Sequence, residues 1–126
     1  MVSESGAFAT STDKARWEEV PVSERWSAKS VYEQVSKTAS TYPRRPAVSF
    51  QITSGPTDKA ITLTWAEVRA QAARTANLLR ELGVHEGDSV AYLLPNCNEA
   101  AITLIAGATA GKVCPLNPLL DAESLG

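Results

Sequence analysis

Residues 87–118, GDSVAYLLPNCNEAAITLIAGATAGKVCPLNP, decide how the chain folds. After the Gly87-Asp88 turn, Val90-Ala91-Tyr92-Leu93-Leu94 is a short continuous apolar run of the kind a strand buried on both faces requires. Pro95 stops it. Asn96-Cys97-Asn98-Glu99 supplies a helix start, and residues 97–110 are apolar nearly all round, which predicts a helix enclosed by other structure. Gly111 closes that helix, Val113 to Leu116 reads as a second strand, and Asn117-Pro118 turns the chain. Strand, helix and strand within about 30 residues form a βαβ crossover, with parallel strands and a right-handed connection.

Upstream, Thr64-Trp65-Ala66-Glu67 has the form of a capping box, in which hydroxyl and carboxylate satisfy orphan backbone donors reciprocally. It opens a helix over about residues 65–82. Val68, Ala72, Ala76, Leu79 and Leu82 face one way, Arg69, Arg74, Arg80 and Glu81 mostly the other, and Gly83 is placed to cap the end in a left-handed conformation. The charged face is an ordinary solvated helix face. Before it, Val48, Phe50 and Ile52 alternate with Ser49, Gln51 and Thr53, and Ile61 and Leu63 alternate with Thr62 and Thr64. This pattern predicts a β-hairpin with one buried face. Ser30-Val31-Tyr32-Glu33 is another capping-box sequence, followed by a helical stripe of Val31, Val35, Ala39 and Tyr42 that Pro43 and Pro46 end. Residues 1–29 lack a sustained period. Trp17 and Trp26 are spaced as on an extended arm held by its aromatic side chains, with an unstructured tail as the competing reading.

Composition narrows the possibilities further. The 126 residues are 44% hydrophobic and 21% charged, which places them among soluble globular sequences. A formal charge of −2 lacks the basic footprint that nucleic-acid binding needs. Met1 to Thr12 does not resemble a secretory signal. The longest mostly apolar run, Ala100 to Gly111, is shorter than the roughly 20 residues of a membrane span, so no transmembrane segment and a cytoplasmic location are expected. Cys97 and Cys114 are too few for a disulfide framework or a zinc site. Cys97 falls at a helix N-terminus, where a thiol can become nucleophilic, but no basic neighbour reinforces that role; it reads as a small residue filling a first helical turn, and Cys114, in an apolar strand, as core. His85, in the turn between Gly83 and Gly87, has no second ligand or nucleophile beside it and reads as an exposed loop residue.

One difficulty remains. A two-stranded parallel pair carrying an apolar helix has more surface to cover than the preceding helices and hairpin can supply. Asp121-Ala122-Glu123-Ser124-Leu125 also has the Asp cap and early carboxylate of a helix that is only beginning. The pattern predicts an incomplete α/β fold, truncated at its C-terminal side.

From Thr64 onward the chain resembles the N-terminal portion of the adenylate-forming (AMP-binding) enzymes, the superfamily of acyl-CoA synthetases, peptide-synthetase adenylation domains and firefly luciferase. The resemblance rests on Thr64-Trp65-Ala66-Glu67, Leu79 through Leu82-Gly83-Val84, Gly87-Asp88-Ser89-Val90-Ala91, Leu94-Pro95-Asn96, Ala110-Gly111 and Pro115-Leu116-Asn117-Pro118, in that order. Tyr42-Pro43-Arg44-Arg45-Pro46-Ala47-Val48 is similar to the family's approach to its first hairpin. Asn117-Pro118-Leu119-Leu120 and the Trp-bearing arm look most like bacterial fatty-acyl-CoA synthetases.

The resemblance implies residues 1–29 as an N-terminal arm and residues 30–126 as the first part of the large N-terminal domain of a ligase. Such an enzyme joins a carboxylic acid to coenzyme A through an acyl-adenylate, using ATP and magnesium and releasing AMP and pyrophosphate. In the family the phosphate loop, the adenosine-binding motifs and a lysine in a C-terminal domain lie further along the polypeptide, so this chain is expected to be inactive alone, to bind none of these cofactors, and to have the remainder of the same polypeptide as its partner. No catalytic, cofactor-binding or metal residue is assigned. Thr53-Ser54-Gly55-Pro56-Thr57-Asp58-Lys59 looks superficially like the phosphate loop, but it has one glycine, Pro56 removes a donor, and its position fits a hairpin turn. Many relatives carry Arg where this sequence has Leu119, which puts a contact to coenzyme A phosphates in doubt. An adenylation domain serving a carrier protein, a luciferase-like enzyme, and a small non-catalytic binding module are the alternatives.

Overall fold

The computed structural model describes residues 10–53, 55–119 and 123. The elements in order are α1 (Ser11–Glu18), α2 (Val22–Arg25), α3 (Val31–Thr41), β1 (Pro46–Phe50), β2 (Ile61–Thr64), α4 (Trp65–Glu81), β3 (Ser89–Tyr92), α5 (Asn98–Ala110) and β4 (Lys112–Pro115). Helices α3, α4 and α5 pack on one another, with the antiparallel β1–β2 hairpin and the parallel β3–β4 pair against them. This is an α/β arrangement with the expected order of elements: helix, hairpin, helix, then the parallel unit. The helix start expected at Asp121–Leu125 falls, apart from Glu123, outside the described residues.

The ends of α4 follow from its sequence. Thr64 Oγ1 accepts the Glu67 N–H at 3.3 Å while the Glu67 carboxylate accepts the Thr64 N–H at 2.8 Å, so both halves of the capping box are made. At the other end Gly83 has φ +96°, and Val84 N–H donates to the Leu79 carbonyl and Gly83 N–H to that of Arg80. This pair of bonds is the Schellman arrangement, which needs a residue free to adopt the left-handed region. Val84 then packs with Leu79 against Ala76, Ala106 and Ala110. Leu82, expected on the buried stripe, is instead 73% exposed, because the helix has already ended at Glu81 and the chain is turning.

Val68, Ala72 and Ala76 on α4 are wholly buried. Val68 meets Val35 of α3 and Ile102 of α5, with Ala47, Val48, Leu63, Trp65 and Ile105 closing around them. The small residues Ala76, Ala106 and Ala110 let α4 and α5 approach closely further along. In the hairpin, Val48 pairs with Leu63 and Phe50 with Ile61 on one face, and the Ser49 and Thr62 hydroxyls hydrogen-bond at 2.7 Å on the other. Ile52 lies past the end of β1 and is exposed.

The parallel pair forms as expected, with Val90 opposite Val113 and Tyr92 opposite Pro115. Gly107 lets α5 lie directly on it: a Cβ there would stand 2.9 Å from Val113 Cγ2. Two expectations need correction. The first strand is shorter than its apolar run, Leu93 and Leu94 following it outside the strand. Within the described residues Ser89 and Ala91 are exposed, and helix α5 is covered along Asn98, Ile102, Ala106, Gly107 and Ala110 with Leu104 exposed, in line with a parallel unit larger than the preceding elements can cover. The N-terminal arm, expected to be extended or unstructured, carries α1 and α2 between residues 11 and 25, while residues 26–28 have no regular structure. Thr10 caps α1 through a reciprocal box with Asp13, a local signal that works without any apolar period.

Candidate functional site

The hairpin connection is the first place to test for phosphate binding. Asp58 fills it. Its carboxylate accepts the Gly55 N–H at 3.0 Å and the Thr53 hydroxyl, and Gln51 Nε2 donates to the Gly55 and Asp58 carbonyls. These two donors, the Gly55 N–H and the Thr53 hydroxyl, therefore face a resident negative charge, which repels a phosphate rather than cradling one. This agrees with reading it as the turn between β1 and β2.

At the N-terminus of α5, Val48, Phe50, Tyr92, Cys97, Asn98 and Leu104 border a shallow depression of about 260 Å³. Cys97 is the N-cap, its Sγ accepting the Ala100 N–H at 3.4 Å. Asn98 is buried, and its Nδ2 donates to the Ile61 carbonyl at 3.0 Å, tying α5 to the start of β2; Oδ1 has no partner among the described residues. The lining has no amine, imidazole or carboxylate to act as a base for the thiol. Sequence reasoning treated Asn98 only as part of a helix start. A polar residue leading an otherwise apolar helix was the available signal for its structural bond.

A second depression lies between the C-terminal ends of α4 and α5, bordered by Arg80, Val84, His85, Glu86, Thr109 and Gly111. Arg80 spans it. Its Nη2 donates to the Thr109 carbonyl at 2.8 Å and its Nη1 to Asn77 Oδ1 at 3.3 Å, so the guanidinium caps the end of α5 instead of facing a ligand. His85 is exposed and holds its turn through its N–H to Asp88. Cys114, expected in the core, lies exposed on β4 instead, and Leu119 is 90% exposed with its N–H on Asn117 Oδ1. The two carboxylates held below their ordinary range serve caps: Glu33 through Lys37 and the Lys29 N–H, and Glu67 through the Thr64 N–H and hydroxyl. Among the described residues no group of three or more His, Cys, Asp or Glu could hold a metal ion.

These surfaces bring no catalytic constellation together, yet the order of the elements is specific. The family model described as AMP-binding enzyme matches residues 35–126. The chain belongs to that family. Members of known structure share its fold: acetoacetyl-CoA synthetase from Streptomyces lividans is 35% identical, superposes with a TM-score of 0.67, and is matched over 76% of this chain and 15% of its own. A fatty acyl CoA synthetase from Mycobacterium tuberculosis is 28% identical with a TM-score of 0.62, over 77% of this chain and 18% of that one. The N-terminal domain of FACL13 from the same organism is 29% identical with a TM-score of 0.63, over 78% and 24%. Against curated relatives, this AMP-binding family chain spans 17% of the length of one CoA ligase and 10–13% of several synthetases.

Proposed function

We propose that this chain supplies the opening framework of the large N-terminal domain of an ATP-dependent acyl-CoA synthetase. Residues 1–29 form its arm and residues 30–126 the first part of its domain. The observation that carries the reading is the family match over residues 35–126, joined to a fold whose polar side chains are engaged in caps and ties rather than aimed into a common cleft. The likeness to a fatty acyl CoA synthetase favours a fatty acid as the substrate and a place in fatty acid metabolism; a cytoplasmic location is part of the same reading. No helix among the described residues is long and apolar enough to cross a membrane.

ATP, magnesium and coenzyme A belong to the whole enzyme in this reading. What supports this is the Thr53–Lys59 loop, where the Asp58 carboxylate already takes the Gly55 N–H and the Thr53 hydroxyl that a phosphate would need. The chemistry then resides in the remainder of the polypeptide, and residues 1–126 are inactive alone. Reading the coding sequence past codon 126 tests this. An open frame that soon encodes a Gly-rich loop closed by lysine is expected; a stop codon directly after Gly126 would contradict it.

A further inference from the structure

Ser27, Ala28 and Lys29 lie beside α3 and are gripped there by two side chains one helical turn apart. Lys37 Nζ donates to the Ser27 carbonyl at 3.0 Å and to the Ser27 hydroxyl at 3.3 Å, and it pairs with Glu33 Oε1 at 2.9 Å. These three acceptors match the three donors of an ammonium. Glu33 Oε2 accepts the Lys29 N–H at 2.6 Å. Between the two gripped residues Ala28 is 6% exposed, whereas Ser27 and Lys29 on either side are exposed. The main packing contacts between elements join α3, α4, α5 and the four strands, and α1 and α2 take no part in them.

We propose that Glu33 and Lys37 form a clasp that seats the N-terminal arm on α3, and that loss of the Lys37 charge releases the arm while the α3–α4–α5 body stays folded. An isolated exposed i,i+4 pair does little. This one differs because the same ammonium holds a backbone carbonyl ten residues away and the same carboxylate holds a backbone N–H, so the pair fixes main chain rather than only itself. Val22, 66% exposed, and Trp26, 55% exposed, ride on the seated segment, and the clasp sets where they are presented.

Hydrogen exchange of the Lys29 amide in the full 126-residue chain tests the clasp. Lys37→Gln is expected to speed that exchange by at least about threefold, with the Val68 and Ile102 amides exchanging as in the wild type. Lys37→Arg, which keeps the charge, should stay within about twofold of the wild type. Unchanged Lys29 exchange in Lys37→Gln, an equal acceleration across α4 and α5, or Lys37→Arg exchanging as fast as Lys37→Gln would each overturn the proposal.

Discussion

Gly107 and Gly111 are four residues apart, and each admits a neighbour too close for a side chain, but the neighbours differ. A Cβ on Gly107 would press on Val113, 2.9 Å from its Cγ2 and 3.1 Å from its Cβ, whereas one on Gly111 would stand 2.6 Å from the Asp88 carbonyl oxygen and 2.9 Å from that of His85, both backbone atoms. Backbone cannot swing aside as a methyl can. Gly111→Ala is therefore expected to destabilise by about 3 kcal/mol and Gly107→Ala by about 1 kcal/mol, measured by urea unfolding; the reverse order would refute this account of the packing. Glu67 provides a pH test. Its carboxyl is held low chiefly by the Thr64 N–H and next by the Thr64 hydroxyl. A carboxyl depressed in the folded state adds stability above its unfolded pKa and loses it as pH falls through the folded value. Glu67→Gln should melt below the wild type at pH 7, with the gap closing in acid below the usual carboxylate range. A gap independent of pH would contradict the charge-assisted cap. At this scale Thr64, Glu67 and Gly83 were legible because caps depend on neighbours three or four residues away. The roles of Asn98 and Arg80 were not, since their partners, Ile61 and Thr109, are distant in sequence.

Among the elements, α4 is defined most completely by its own residues, with a two-sided cap at the start and a glycine-dependent stop at the end. Thr64→Ala is expected to cost about 1 kcal/mol, read as a lowered denaturation midpoint; no loss would show that packing alone fixes the helix start. Helix α3 departs from the same pattern. Ser30 Oγ accepts the Glu33 N–H, but the Glu33 carboxylate reaches past Ser30 to the Lys29 N–H, a choice set by Lys37 one turn on and invisible in the four-residue motif. Strand β3 was read too long because an apolar run does not say where pairing ends. Its partner β4 stops at Pro115. Helices α1 and α2 escaped notice because they bury none of their residues and so leave no apolar period to find.

For the whole molecule, the three helices converge on Val35, Val68 and Ile102, and the hairpin closes over them. Val68→Ala opens space at a wholly buried position and is expected to cost about 2 kcal/mol; a negligible change would mean the helices do not meet as described. The sequence pattern foresaw that the parallel unit exceeds what these elements cover, and Ser89, Ala91 and Cys114 do remain exposed on the sheet with Leu104 exposed on α5. Under the proposed function the chain is framework and the chemistry lies in other parts of the enzyme. The most direct measurement is isotope exchange between pyrophosphate and ATP by the purified 126-residue chain, with a series of fatty acids and magnesium present. The account predicts no acid-dependent exchange; exchange that rises with added acid would contradict it.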